Sequence, residues 1–114
     1  MGRLRYGYPE RQCELDDRTL AHLAVVIFDE LRRGEGFSVS LPGDDEKTLW
    51  VSRGVPLRFD FDDSARISIN REWVLTMQRT VHSVHALSVV AEPVRPPGSA
   101  SRTLKGTHYG QIHV

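Results

Sequence analysis

The sequence lacks several features on which common classes of protein depend. It has one cysteine, Cys13, in 114 residues, so no disulfide can form within the chain, which fits a reducing compartment. Its longest apolar run covers residues 23–28, far short of the ~20 residues that a membrane-spanning helix needs. The first residues show no apolar segment typical of a secretory signal. These absences predict a cytoplasmic protein with no membrane partner.

An excess of one charge is also missing, because fifteen basic and fifteen acidic residues cancel. This balance gives no general attraction to nucleic acids or to anionic membranes. The distribution of charge is less even. Residues 1–91 carry 12 basic and 14 acidic side chains, whereas residues 92–114 carry three basic and one acidic. The last part of the chain is therefore mildly basic.

Two segments have the 3.6-residue period of amphipathic helices. Aspartates that can cap a helix precede the first segment and Gly34 follows it, which predicts a helix over residues 17–33. Its apolar stripe consists of Leu20, Leu23, Ala24, Ile27 and Leu31. His22 falls outside the stripe and is expected at the surface. A second helix is predicted over residues 71–83, behind the N-cap residue Asn70.

Alternation of apolar and polar residues predicts the strands. The segments are residues 4–6, 12–15, 37–41, 49–51, 57–61 and 87–91. The order ββαβββαβ predicts an α+β fold in which an antiparallel sheet carries both helices on one face. The three central strands would form a meander whose polar face stays open to water.

The composition changes after Glu92, where three prolines within five residues are followed by glycine, serine and alanine. Such a segment buries too little apolar surface to offset its chain entropy. The sequence therefore predicts a single α+β domain over residues 1–92 and a flexible basic tail over residues 93–114.

Four short segments carry a resemblance to known proteins, namely residues 16–23, 31–35, 55–57 and 70–73, with Glu92-Pro93 closing the domain. They are similar to those of a family of short actinobacterial proteins of unknown function. The resemblance leaves out the tail. Members of this family often carry the label ATP-dependent DNA ligase, so the resemblance implies a possible association with a ligase.

The residues that a ligase would need can be checked directly. A nucleotidyl-transferring ligase attacks ATP with a lysine that is followed by x-Asp-Gly. Here Thr-Leu-Trp follows Lys47 and Gly-Thr-His follows Lys105, and no glycine-rich phosphate loop stands between a strand and a helix. We therefore expect no ligase activity, and we assign no catalytic residue and no cofactor.

Two pairs of side chains have the chemistry of metal ligands. His82 and His85 are spaced i, i+3 near the end of the second helix, and Asp60 and Asp62 alternate along one face of a predicted strand. Two histidines do not complete a site, and nothing in the sequence places the aspartates beside them. Solvated polar residues are the simpler interpretation of both pairs. A small metal-dependent enzyme built on them is one functional hypothesis.

The candidates for binding a partner lie on the polar sheet face and at the helix ends. Trp50 stands between Leu49 and Val51, which are expected to face the core, so the period of two turns Trp50 outward together with Arg58. Further candidates are Arg32 and Arg33, which also suit the negative C-terminal end of the first helix. Arg71 is a candidate at the start of the second helix, where it could hold Asp62 or Asp63 or bind an anion.

These residues support two further hypotheses. The leading one is a non-enzymatic interaction module that uses the face of Trp50 and Arg58 to dimerise or to bind a protein partner. The alternative is a nucleic-acid-binding protein, active in DNA repair or beside a ligase. In that case bases would stack on Trp50 and arginines would hold the phosphates.

Overall fold

Two helices and nine strands form within the part of the chain that the computed structural model describes, residues 1–34, 36–42, 47–63, 67–94, 102–103 and 111–113. The helices are α1 (Asp17–Arg32) and α2 (Arg71–Val84). The strands are β1 (Gly2–Tyr6), β2 (Arg11–Leu15), β3 (Phe37–Leu41), β4 (Lys47–Val51), β5 (Leu57–Asp60), β6 (Ser68–Ile69), β7 (Ala86–Ser88), β8 (Arg102–Thr103) and β9 (Gln111–His113). The predicted α+β class is confirmed.

Both helices begin and end as the sequence predicts, to within one residue. The side chain of Asp16 caps α1 by accepting the backbone N–H of Thr19 at 2.7 Å. Gly34 follows α1 with a φ of +91°, a conformation that glycine adopts without steric cost. The Asn70 side chain caps α2 by accepting the backbone N–H groups of Glu72 and Trp73.

The strands divide into more than one sheet, which the sequence does not predict. A four-stranded sheet has the order β2-β1-β5-β9, a three-stranded sheet has the order β4-β3-β7, and β6 pairs with β8. The β3–β7 pair is parallel and the other pairs are antiparallel. The expected single antiparallel sheet is thus corrected to two main sheets.

The predicted meander of β3, β4 and β5 does not form, because β5 pairs with β1 rather than with β4. At the start of this pairing the backbone N–H of Gly7 donates to the carbonyl of Pro56 at 3.0 Å. Alternation determines which face of a strand is buried, but it does not determine which strand lies beside it. Leu57 and Phe59 are buried as expected, although their neighbour differs from the prediction.

A continuous hydrophobic core joins both main sheets to both helices. It contains the whole predicted stripe of α1 together with Phe37, Phe59, Trp73 and Met77. His22 is the exception to the predicted pattern of α1, since it is fully buried rather than at the surface. No helix among the described residues is long and apolar enough to cross a membrane.

Two short segments of the predicted tail pair with the domain. β8 lies beside β6, and β9 extends the larger sheet beyond β5, with Ile112 opposite Phe59. Most of the region for which flexibility is predicted, residues 95–101, 104–110 and 114, lies outside the described residues.

Candidate binding surface

The outer face of the three-stranded sheet carries Trp50 and no charged side chain at its paired positions. Ser38 lies opposite both Trp50 and Ala86, and Ser40 lies opposite both Thr48 and Ser88. Partners in directly opposite positions project from the same side of a sheet. We call these six residues the Trp50 face. The other side of the same strands is buried and consists of Phe37, Val39, Leu41, Leu49, Val51 and Leu87, with only Lys47 exposed at the end of β4.

Trp50 is 61% exposed, which confirms the orientation that the sequence predicts. Its ring rests on Gly36, because a Cβ placed on that glycine would lie 2.5 Å from Cζ2 of the indole. A glycine at this position therefore lets a large aromatic side chain lie close against the backbone.

Arg58 does not share this surface, which corrects the expected pairing with Trp50. It lies on β5 in the other main sheet, directly opposite Arg5 of β1. Both guanidinium groups bind Asp60, Arg58 through Nη2 at 2.9 Å and Arg5 through Nε at 2.8 Å. The hydrogen bonds from Arg58, and then the one from Arg5, hold the pKa of Asp60 below its usual range. Arg58 is thus part of a structural ion-pair group.

The two aspartates proposed as metal ligands are already engaged. Asp60 holds the two arginines, and Asp62 accepts a hydrogen bond from the N-terminal ammonium group, which lowers the pKa of Asp62. His82 instead contacts Glu30 of α1. Among the described residues, no group of three or more His, Cys, Asp or Glu side chains has a geometry that could hold a metal. The structure therefore does not bring the two pairs together within the part of the chain that it describes, and the metal-dependent enzyme stays a prediction.

A cavity of about 310 Å³ opens where α1 and α2 end. Its lining includes Glu30, Arg33, Gly36, His82 and His85. Glu30 is only 5% exposed and lies 2.7 Å from Nε2 of His82. Nη1 of Arg33 is 3.5 Å from the same nitrogen. The cavity brings together three residues that the sequence suggests separately, and Gly36 connects it to the ring of Trp50.

The remaining predicted candidates lie outside this cavity. Arg32 is exposed and forms a 3.6 Å ion pair with Asp29 on its own helix. Arg71 is exposed at the start of α2, and no ion pair involving it occurs in the described ranges. The anion contact proposed for Arg71 stays a prediction.

A second polar group links the N-terminal ends of both helices to the segment after β7. Arg18 donates two hydrogen bonds of 2.6 Å to the carboxylate of Glu92, and Asn70 donates a third of 2.9 Å. Beside them Trp73 donates from Nε1 to the carbonyl of Val90 at 2.9 Å. The hydrogen bond from Arg18 is the main cause that lowers the pKa of Glu92 to about 2. This group gives structural roles to Asn70 and Trp73, two residues of the segment 70–73 that carries part of the family resemblance.

The sequence as far as Glu92 matches the family described as a domain of unknown function, DUF7882, over residues 1–92. The chain belongs to the DUF7882 family. No curated protein and no solved structure matches it. The match to DUF7882 ends at Glu92, whose carboxylate accepts the hydrogen bonds from Arg18 and Asn70. These hydrogen bonds therefore lie at the C-terminal edge of the matched region.

Two residues that line the cavity of this DUF7882 chain, Glu30 and Gly36, are not predicted from the sequence. Glu30 follows Ile27 by three positions, so it lies within the apolar stripe of α1, and a charged residue at a core position is the signal that could have revealed it. Gly36 gives no such signal, because its role depends on the position of a ring fourteen residues later in the chain.

Proposed function

We propose that this protein is a non-enzymatic interaction module that associates with a second copy of itself through the Trp50 face. The observation that carries the proposal is the exposure of Trp50, 61% of whose surface is open to solvent. A tryptophan presents a large, mostly apolar area, and such side chains dominate the energetics of protein interfaces.

The composition of the Trp50 face favours a protein over a nucleic acid. Serine, threonine and alanine surround the ring at all the paired outward positions. Depletion of charge is typical of the centre of a protein interface, whereas nucleic-acid surfaces depend on clustered basic side chains. Two uncharged faces can also approach each other without like-charge repulsion.

The edge of the sheet supports self-association in particular. Within the described residues β4 pairs only with β3, so its other edge carries backbone groups that a further strand can bind. If two copies paired through this edge about a twofold axis, the Trp50 face would continue across both chains. A twofold interface uses the same patch on each copy.

Sedimentation velocity over micromolar to millimolar concentrations tests the proposal. We expect the native chain to show a concentration-dependent dimer. Trp50→Ala should shift it to monomer without a large change in melting temperature, because the ring is exposed. Arg58→Ala is the matched control, since Arg58 lies on the other sheet and should leave association unchanged. A native chain that is monomeric throughout, or a Trp50→Ala variant that dimerises normally, would contradict the proposal.

A second candidate is binding of single-stranded nucleic acid, which includes a role beside a ligase. It is favoured by one observation, namely that Gly36 contacts Trp50 and also lines the cavity with Arg33. A base stacked on the exposed side of the ring would place its phosphates toward this arginine. Titration of the same variants with oligothymidine tests this candidate. Trp50→Ala and Arg33→Gln should each weaken binding by about tenfold or more, and Arg58→Ala should not.

A further inference from the structure

The two outer strands of the three-stranded sheet differ in how their backbones are covered. The backbone N–H of Ser88 on β7 donates to the hydroxyl of Thr80 on α2 at 3.2 Å, and that hydroxyl donates in turn to the carbonyl of Met77 at 2.7 Å. This N–H of β7 is therefore not available to a further strand. Among the residues that the structure describes, β4 at the opposite edge pairs only with β3.

The edge strand of the larger sheet is protected by charge. β2 carries Arg11, Gln12 and Glu14, all of them exposed. Charged side chains along an edge strand oppose its pairing with another chain. The only charged residue of β4 is Lys47, at its first position. The edge of β4 is thus better suited to accept a further strand than the edge of β2 or of β7.

The sequence of β4 restricts the register in which a second β4 can pair with it. Residues directly opposite each other project from the same side of a sheet, so the Trp50 face continues across two copies only if a twofold axis passes beside one residue of β4. An axis at Leu49, the central residue, pairs all of residues 47–51 with the second copy. An axis at Thr48 would pair only residues 47–49, and an axis at Trp50 only residues 49–51.

We propose that two copies of this chain pair their β4 strands antiparallel about a twofold axis at Leu49, which joins the two three-stranded sheets into one of six strands. The inference rests on the proposed function, since it specifies how the Trp50 face self-associates. Trp50 of each copy then lies directly opposite Thr48 of the other. Lys47 lies opposite Val51 of the other copy, so no like charges oppose each other across this pair of strands.

The position of the indole is compatible with this register. The ring rests on Gly36, which directly precedes β3, so it leans inward over the sheet and away from the free edge of β4. Its other side is open to solvent. Thr48 of the second copy can therefore pack against the open side of the ring, between the two strands, without displacing it.

Nuclear Overhauser spectra of the full chain test the register directly, at a concentration at which the chain dimerises. A mixture of carbon-13-labelled and unlabelled copies, recorded with isotope filtering, reports only contacts between copies. We expect a contact between the methyl group of Thr48 in one copy and the side chain of Trp50 in the other. A dimer in which this contact is missing overturns the inference, although the proposed self-association would stand.

A matched pair of charge substitutions distinguishes edge pairing from stacking of one Trp50 face on another. Thr48 and Ser40 are both exposed and lie directly opposite each other, so Thr48→Asp and Ser40→Asp add the same charge to the same face. In the edge-paired dimer the two carboxylates added at position 48 are about 7–8 Å apart. Those added at position 40 are separated by three strand spacings, about 14 Å or more, which exceeds the Debye length of about 10 Å in about 0.1 M salt.

Sedimentation velocity measures the effect of each substitution on the dimer. Thr48→Asp should weaken it by about tenfold or more, and Ser40→Asp, the control, by less than about twofold. Equal weakening would indicate that the faces stack, which overturns the edge pairing but not the self-association. A native chain that stays monomeric contradicts both. Melting temperatures show whether a loss reflects unfolding, and if Thr48→Asp does not fold, the contact between Thr48 and Trp50 in the native dimer decides.

Discussion

The imidazole of His22 accepts a hydrogen bond from the backbone N–H of Asn70 at 2.7 Å and thereby joins α1 to the cap of α2. Nε2 must carry the lone pair for this contact, so the proton lies on Nδ1, which is 2.7 Å from the carbonyl of Arg18 and donates to it. The ring also contacts the indole of Trp73, with centroids 4.4 Å apart. The neutral histidine is thus an internal hydrogen-bonding link between the two helices.

Replacing this link with an apolar side chain should destabilise the protein. In His22→Leu the N–H of Asn70 is left buried without its acceptor, at a cost of about 2 kcal/mol in the free energy of unfolding. His22→Gln retains an acceptor oxygen and should lose less. Urea denaturation of both variants measures the difference. If leucine is tolerated as well as the native histidine, the hydrogen bond contributes little to stability.

Because of the Glu92 carboxylate, the free energy of unfolding should depend on pH in the acid range. Its pKa is lowered from 4.5 to about 2, so the folded state holds the proton more weakly than the unfolded chain. The resulting stabilisation is fully present at pH values above the pKa of Glu92 in the unfolded chain, and it is lost as the pH falls from about 5 to about 2.

Glu92→Gln should therefore lower the free energy of unfolding near neutral pH and leave it almost unchanged near pH 2. Because the side chains of Arg18 and Glu92 are 36% and 29% exposed, we expect about 1–2 kcal/mol after solvent screening. Denaturant titrations across the acid range measure it. Glu14→Gln, which removes an exposed carboxylate with only a 4.0 Å contact to Arg3, is the control and should change little. A deficit for Glu92→Gln that persists undiminished at pH 2 would exclude this carboxylate as the cause.

The same carboxylate determines where the chain can be shortened. A chain ending at Val94 keeps Glu92 and loses the pairings of β8 and β9, so its melting temperature should fall by only a few degrees. A chain ending at Val90 leaves Arg18 and Asn70 without their common partner and should lose about 10 °C or more. Scanning calorimetry of the two chains compares them directly. Equal losses would show that the C-terminal strands, rather than Glu92, stabilise the domain.

The α+β class, both helices and the outward direction of Trp50 could be predicted because each depends on local periodicity. The pairing of the strands could not be predicted, since alternation would bury the apolar faces of β4 and β5 equally well beside other strands. Because β5 pairs with β1 and not with β4, Arg58 lies on a different sheet from Trp50. The sequence predicts a surface position for His22 because its polar ring falls outside the stripe, whereas the hydrogen bond that it accepts from the backbone N–H of Asn70 depends on the tertiary fold.

Ile27 tests the helix orientation that the sequence predicts. It is fully buried at the centre of the α1 stripe, so Ile27→Ala should cost about 2–4 kcal/mol through lost burial and the cavity that remains. Val25→Ala on the same helix is the control, because Val25 is only partly buried and should cost clearly less. Equilibrium denaturation of both variants gives the comparison. Similar costs would mean that the centre of the stripe packs no better than its margin.

Gly36 offers a way to move the ring of Trp50 without removing it. A methyl group on Gly36 would approach the indole to 2.5 Å and Cβ of Ser52 to 3.3 Å, so the ring must shift while the backbone stays in place. Because most of the ring is exposed, the shift should cost little stability. In nitrogen–proton spectra of Gly36→Ala, the indole signal of Trp50 should move. The indole signal of Trp73, whose N–H donates to the carbonyl of Val90, should not move and serves as the internal control.

If the Trp50 face is the self-association surface, Gly36→Ala should also weaken the dimer, since the ring is still present but no longer in the position that the interface requires. An unmoved Trp50 signal would show that the indole does not rest on Gly36 in solution.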